Sequence, residues 1–145
     1  MSDFDVSRLL NALDNEENEA IMQLDHVKIG KIKNDVLQRL GLPSKELRAL
    51  HKKLKFYRFV DELPDLKYGS YVRWIPLIDP ENIRLTNGGI VCEMKVTDSG
   101  IAVVCKNRFN RMFQLIISEN LIFQKLTDQE QIILSAMDYL NGESA

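Results

Sequence analysis

The sequence predicts an α+β domain: a small five-stranded antiparallel β-barrel preceded by helices and capped by a C-terminal helix. Three observations carry this. Residues 68–125 hold five short β-prone runs separated by turn-forming residues. One hairpin among them can be registered from sequence alone. A capping box then opens an amphipathic helix directly after the last run.

The hairpin comes first. Gly89–Val96 and Ile101–Lys106 flank Thr97-Asp98-Ser99-Gly100. Asp and Ser bond nearby backbone, and Gly accepts positive φ, so this is a turn. A symmetric loop sets Val96 opposite Ile101, Met94 opposite Val103 and Cys92 opposite Cys105. All three pairs are apolar, and a slip of one residue would break the agreement. Tyr71–Ile75 reads as a strand ending at Pro76. Asn87-Gly88-Gly89 is a turn signal. Met112–Ile117 and Leu121–Gln124 are strands joined by Ser118-Glu119-Asn120. Short twisted strands in this number curl into a small closed or half-open barrel that hides their edges, of the Src-homology-3-like or Tudor-like kind.

The helices follow from apolar spacing. Ser7–Leu13 begins a short helix with Leu9, Leu10 and Leu13 on one side. Asp14–Glu19 is a solvated helix start or a linker. Ala20–Leu40 has helical spacing interrupted at Gly30, and Gly41 and Pro43 end it. The next helix starts at Ser44, whose hydroxyl caps it, and runs to Val60 on a stripe of Leu47, Leu50, Leu54 and Tyr57. After the strands, Thr127 and Glu130 form the capping box, and Ile133, Leu134, Met137 and Leu140 make a stripe expected to cover one face of the barrel or its open edge. The division predicted is residues 1–65, a helical N-terminal region, and residues 66–145, the barrel with its helix, together one unit. Order in residues 1–19 is left open by their acidic, polar content.

The formal net charge of −2 conceals an uneven distribution. Residues 44–60 hold six bases against one acid, between acidic stretches on either side. Lys52, Lys53, Lys55 and Arg58 are therefore candidates for contact with nucleic-acid phosphates. The plainer reading is a solvated Lys-rich helix face. The segment Asn107–Arg111 reads as a polar loop between strands. Its Arg108, Phe109 and Arg111, with Arg73, form a candidate interaction rim, since loops on a rigid scaffold present ligand contacts and Arg and aromatics anchor interfaces. The alternative tucks Phe109 under the barrel. Trp74 is expected in the core.

Chemistry finds few candidates. His26 and His51 stand in no ligand spacing, and no nucleophile motif or phosphate-binding glycine loop occurs. No catalytic residue, metal site or cofactor is predicted, and the expectation is a non-enzymatic protein. Cys92 and Cys105 lack zinc spacing. Their predicted register allows a cross-strand disulfide, or a dithiol redox pair, against the simpler reading of two buried thiols. No apolar run reaches the roughly 18 residues of a membrane helix, so no membrane partner is expected. The N-terminus lacks a secretory pattern, so a cytoplasmic or nuclear protein is expected, not a secreted one.

The succession LKFYRFVDELPDLKYGSYVRWI, LTNGGIVCEM, VVCKN and LIFQKLTDQEQIILSAMDYL resembles uncharacterised small proteins encoded by large nucleocytoplasmic DNA viruses. The resemblance spans about residues 53–140 and rests on the FYRF-VDEL lead-in, the Tyr-Val-Arg-Trp strand and the double glycine. It implies a viral protein, working in a cytoplasmic viral factory or packaged as a virion component. It brings no catalytic residues with it. The functional expectation is an interaction module, adaptor or structural subunit of a larger assembly with a protein partner. The alternative is a nucleic-acid-binding accessory protein using the basic helix and the rim arginines. Homo-oligomerisation is left open.

Overall fold

Local capping sets the helices. The computed structural model describes residues 5–142. Asp5 accepts hydrogen bonds from the amides of Ser7 and Arg8 and starts α1 (Val6–Asp14). Asn15 does the same for a 3₁₀ turn over Glu16–Ile21, so the acidic stretch is ordered structure and not a linker. Asp25 caps α2 (His26–Gln38) through the Lys28 amide at 2.7 Å. Gly30 sits inside α2 without breaking it. The question left open for residues 1–19 is answered from Asp5 onward; residues 1–4 lie outside the described residues.

α3 (Ser44–Lys53) begins where predicted, but Pro43 occupies its N-cap and no side chain caps it. It stops at Lys53, well short of the predicted Val60. Lys33 of α2 binds the chain just past the stop: its Nζ donates to the carbonyls of Leu54 at 2.9 Å and Tyr57 at 3.1 Å. The next residues, Tyr57–Val60, form strand β1. Arg58 and Val60 are buried, whereas Tyr57 and Phe59 are half-buried against the helices. That is strand alternation, and it replaces the helical stripe read from the sequence.

The remaining strands are β2 (Tyr71–Pro76), β3 (Gly89–Thr97), β4 (Gly100–Lys106), β5 (Met112–Ile116) and β6 (Asn120–Lys125). They form one antiparallel sheet in the order β1-β6-β2-β3-β4-β5. The predicted five-stranded, Src-homology-3-like or Tudor-like barrel is therefore corrected to a six-stranded open sheet. The reason is β1. It pairs with β6 from Tyr57↔Lys125 to Val60↔Ile122, while β2 takes the other side of β6. With both sides occupied, β6 cannot pair with β5, and the sheet stays open.

The hairpin register is right at Val96↔Ile101 and Met94↔Val103. It fails at the cysteines. A bulge between Val91 and Glu93 sets Val91 opposite Cys105 and Glu93 opposite Val104, leaving Cys92 without a partner position. Both thiols are free; Cys105 is buried, as the simpler reading has it, but the bulge leaves Cys92 exposed.

Three apolar clusters hold the fold. One lies on the inner face of the sheet, with Val60, Val72, Trp74, Val91, Val103, Cys105, Leu115 and Ile122. A second joins α2 and α3 to the outer face through Leu37, Leu50, Leu54, Ile75 and Phe123. Phe123 is fully buried and meets the Phe59 ring at 5.7 Å; burial of such a side chain stabilises by about 1.5–3 kcal/mol. The third joins Ala12, Ile21 and Ile29 to Leu126, Ile133 and Leu134. Its last members belong to α4 (Asp128–Leu140), which opens with the predicted capping box: Thr127 Oγ1 accepts from the Glu130 amide at 3.1 Å, and Glu130 Oε1 accepts from the Thr127 amide at 2.9 Å. α4 thus packs on the N-terminal helices. It does not seal the sheet, a second correction. Each cluster draws residues from both sides of residue 65. No helix among the described residues is long and apolar enough to cross a membrane.

Candidate functional site

The sheet is stepped, and the step makes the site. From Tyr71↔Ile90, β2 runs one way with β6 and β1, and β3 runs the other way with β4 and β5. A single level is shared by all six strands. Along it stand Tyr57, Lys125, Tyr71, Ile90, Lys106 and Met112, each the cross-strand neighbour of the next; Lys125 lies beside Tyr71 one step beyond the Val72↔Gln124 pair. Their neighbours Val72, Val91, Cys105, Gln124 and Arg58 are buried, so strand alternation turns this row outward. Both lysines, Tyr71, Ile90 and Met112 are exposed.

Above the row the chain closes tightly on β2. Thr86 replaces a strand partner: its amide donates to the Trp74 carbonyl at 2.9 Å and its Oγ1 accepts from the Trp74 amide at 3.2 Å. Arg73 Nε donates to the Thr86 carbonyl at 2.8 Å, which fixes the plane of the guanidinium. The Tyr71 hydroxyl donates to the Asn87 carbonyl. Gly88 has φ 91°, and a Cβ on it would stand 2.2 Å from the Val72 carbonyl oxygen. Only glycine fits there. The double glycine read as a turn is a close crossing of backbones.

The hairpin loop between β4 and β5 faces this crossing. Asn107 Oδ1 accepts from the amides of Phe109 at 2.9 Å and Arg111 at 3.0 Å, and Asn110 takes φ 63°. The loop is thereby tied to itself and projects Arg108 and Phe109. The Arg108 guanidinium lies 4.8 Å from the Phe109 ring centroid, a cation–π distance. Phe109 is 69% exposed, so it is not tucked under the sheet.

Between these parts lies a cleft of about 580 Å³. Tyr57, Tyr71, Trp74, Phe109 and Phe113 supply its aromatic surface, and Arg73 and Arg108 its charge. No carboxylate, imidazole or thiol is among the lining residues. Trp74 is 5% exposed and packs 6.1 Å from the Phe113 ring. Burial pushes the Tyr57 hydroxyl above its ordinary pKa, partly offset by Arg73.

Of the predicted rim, Arg73, Arg108 and Phe109 come together in the cleft, while Arg111 is exposed outside its lining. Of the predicted phosphate contacts, Lys52 and Lys53 close the last turn of α3 and Lys55 lies over the Phe56 ring at 5.4 Å. Arg58 is corrected: it is 5% exposed in β1 and faces Asp65 at 3.9 Å. Its place in a strand with an inward face removes it from the surface. Tyr71, Asn87 and Phe113 were not foreseen in the cleft, and Tyr57, one of the aromatics that could stack on bases, was placed on a helix. The signal for them was the strand character of Phe56–Phe59 beside the Tyr-Val-Arg-Trp strand.

The histidines serve structure. His51 Nε2 meets Asn34 Oδ1 at 3.1 Å, and burial together with the Lys33 charge lowers its pKa. His26 pairs with Asp138 and Gln131, tying α2 to α4. Among the described residues, no group of three or more His, Cys, Asp or Glu is placed to hold a metal ion. A second concavity of about 380 Å³ is bordered by Glu19, Asp61 and Asp65 together with Arg58. Comparison with known proteins gives no match to a family model, a curated protein or a solved structure.

Proposed function

We propose that the chain is a non-enzymatic interaction module, an adaptor or subunit of a larger assembly, and that its partner is engaged at the stepped cleft. The observation that carries this is the convergence of Arg73, Arg108 and Phe109 with four further aromatic side chains in one concavity whose lining holds no acid. Preorganisation supports the same reading. Arg73 is tied to Thr86, and the Asn107 loop is tied to itself, so little side-chain and loop freedom remains to be lost on binding. The lining suits recognition of an anionic, partly flat ligand. It offers no carboxylate, imidazole or thiol for proton transfer or nucleophilic attack. The assembly setting follows the resemblance to the viral proteins.

The test uses Trp74, the chain's single tryptophan, as reporter. Glutamate-rich peptides and short oligonucleotides are titrated into the protein while Trp74 fluorescence is followed. A saturable change that is lost in Arg73→Ala/Arg108→Ala supports the cleft. Equal responses from the wild-type protein and the variant would overturn it.

A further inference from the structure

We infer that the cleft and the row beneath it bind single-stranded nucleic acid, with bases on the aromatic rings and phosphates on the flanking cations. The inference rests on the binding-module reading above and names its ligand class.

Three observations favour it. The first is the make-up of the shared row. Tyr57, Lys125, Tyr71, Ile90, Lys106 and Met112 follow one another across strands about 5 Å apart. Lys125 and Lys106 thus each stand between flat or apolar side chains, exposed from Lys125 to Met112, and no acid lies in the row. A single strand presents phosphate and base in the same repeating manner, and base–aromatic stacking tolerates any sequence. The second is convergence. The Leu126 amide donates to the Phe56 carbonyl at 2.9 Å, which sets Phe56 and its stacked Lys55 beside the Lys125 end of the row. Lys52 and Lys53, in the last turn of α3, lead into the same end. At the other end, the loop that follows Lys106 carries the Arg108–Phe109 pair. Cations therefore flank the aromatics at both ends.

The third is the shape of the surface. Phe109 and Tyr71 are exposed aromatics, and only an unpaired base can stack on a ring. Among the described residues, α2 and α3 are packed against this outer face around Ile75 and Phe123, not free to enter a duplex groove. An acidic peptide would satisfy the charge but leave the exposed rings without flat partners.

The experiment is anisotropy of labelled oligothymidine and oligouridine of about ten nucleotides, beside a duplex of equal length, across a salt series. Single strands are expected to bind more tightly than the duplex. Phe109→Ala, at an exposed loop position, is expected to weaken them roughly five- to a hundredfold, the value of one base stack. Lys106→Glu with Lys125→Glu is expected to flatten the log–log salt slope by about 1.4, roughly 0.7 per phosphate contact. Duplex bound as tightly as single strand, or binding indifferent to Phe109→Ala, overturns the inference. A glutamate-rich peptide serves as competitor. If it alone binds, and Arg73→Ala/Arg108→Ala abolishes that binding, the nucleic-acid inference fails and the module reading stands. If neither ligand binds, both fail.

Discussion

Lys67 Nζ stands 3.3 Å from Glu130 Oε2, and the Glu130 side chain is only 1% exposed. The same ammonium reaches Asn18 Oδ1 at 3.5 Å, and Asn18 bonds Gln129 of α4 at 3.0 Å. One cation therefore ties the segment before β2 to α4 and to the turn after α1. Removing one partner of such a pair leaves a buried charge uncompensated, a loss of about 3–5 kcal/mol when burial is complete. Lys67 is 18% exposed, so solvent offsets part of it. Lys67→Met is expected to lose about 2–3 kcal/mol in urea denaturation. Adding Glu130→Gln, which keeps the capping-box geometry, is expected to restore most of it. Strictly additive losses would contradict the pairing.

Gly88 is the second test. A methyl there would press on the Val72 carbonyl and the side chains of Arg73 and Tyr71. Gly88→Ala combines this clash with a positive φ and is expected to cost about 3 kcal/mol or more. Because the crossing forms one wall of the cleft, ligand binding should fall further than stability alone explains. A variant of unchanged midpoint would show that the crossing can relax.

The thiols give a pH test. Burial, with a smaller contribution from Cys92, pushes the Cys105 thiol up to about 12. The unfolded thiol ionises near its ordinary value of 9.0, so between these two values the unfolded chain holds fewer protons than the native one. Stability therefore falls as pH rises through that window, by at most about 4 kcal/mol at 1.4 per unit. Cys105→Ala should flatten this alkaline decline. In native protein only Cys92 should react promptly with a thiol reagent, Cys105 reacting at the rate of unfolding.

Lys33 gives a fourth. It is 7% exposed and donates to two carbonyls at the junction of α3 and β1. Burial lowers its pKa, so the native ammonium carries a penalty that is relieved as pH rises from the lowered value towards 10.5. The two carbonyls still need a donor. Lys33→Met is expected to destabilise by about 2 kcal/mol, the usual cost of buried acceptors left unpaired, and to raise amide exchange at Leu54 and Tyr57. Unaltered exchange there would remove Lys33 from the junction.

That junction shows why some of the fold was legible and some was not. The hairpin at Val96↔Ile101 could be read because its turn residues are local and both strands lie beside it. The Thr127 capping box was legible for the same reason. The strand at Tyr57–Val60 was not. Tyr57 continues the helical spacing of Leu50 and Leu54, and its strand state comes from Lys125 and its neighbours, far along the chain. The sixth strand and the open sheet were lost with it. The bulge at Cys92 was equally hidden, since both registers put apolar residues opposite one another. In the cleft, Arg73, Arg108 and Phe109 were visible as strand and loop residues of binding type. Tyr71 was not, because the row it shares with Tyr57 exists only once β1 is a strand.

β5 has a strand on one side only, and its five residues, Met112-Phe113-Gln114-Leu115-Ile116, carry no charge and no proline. Such an edge is a template for a further strand from another molecule. The same openness that keeps β6 for β1 therefore carries a solubility hazard. At high concentration or on mild heating, this edge should be the first point at which chains add to one another. Gln114→Lys, an exposed gatekeeper charge, should raise the concentration at which light scattering appears while leaving the melting temperature unchanged.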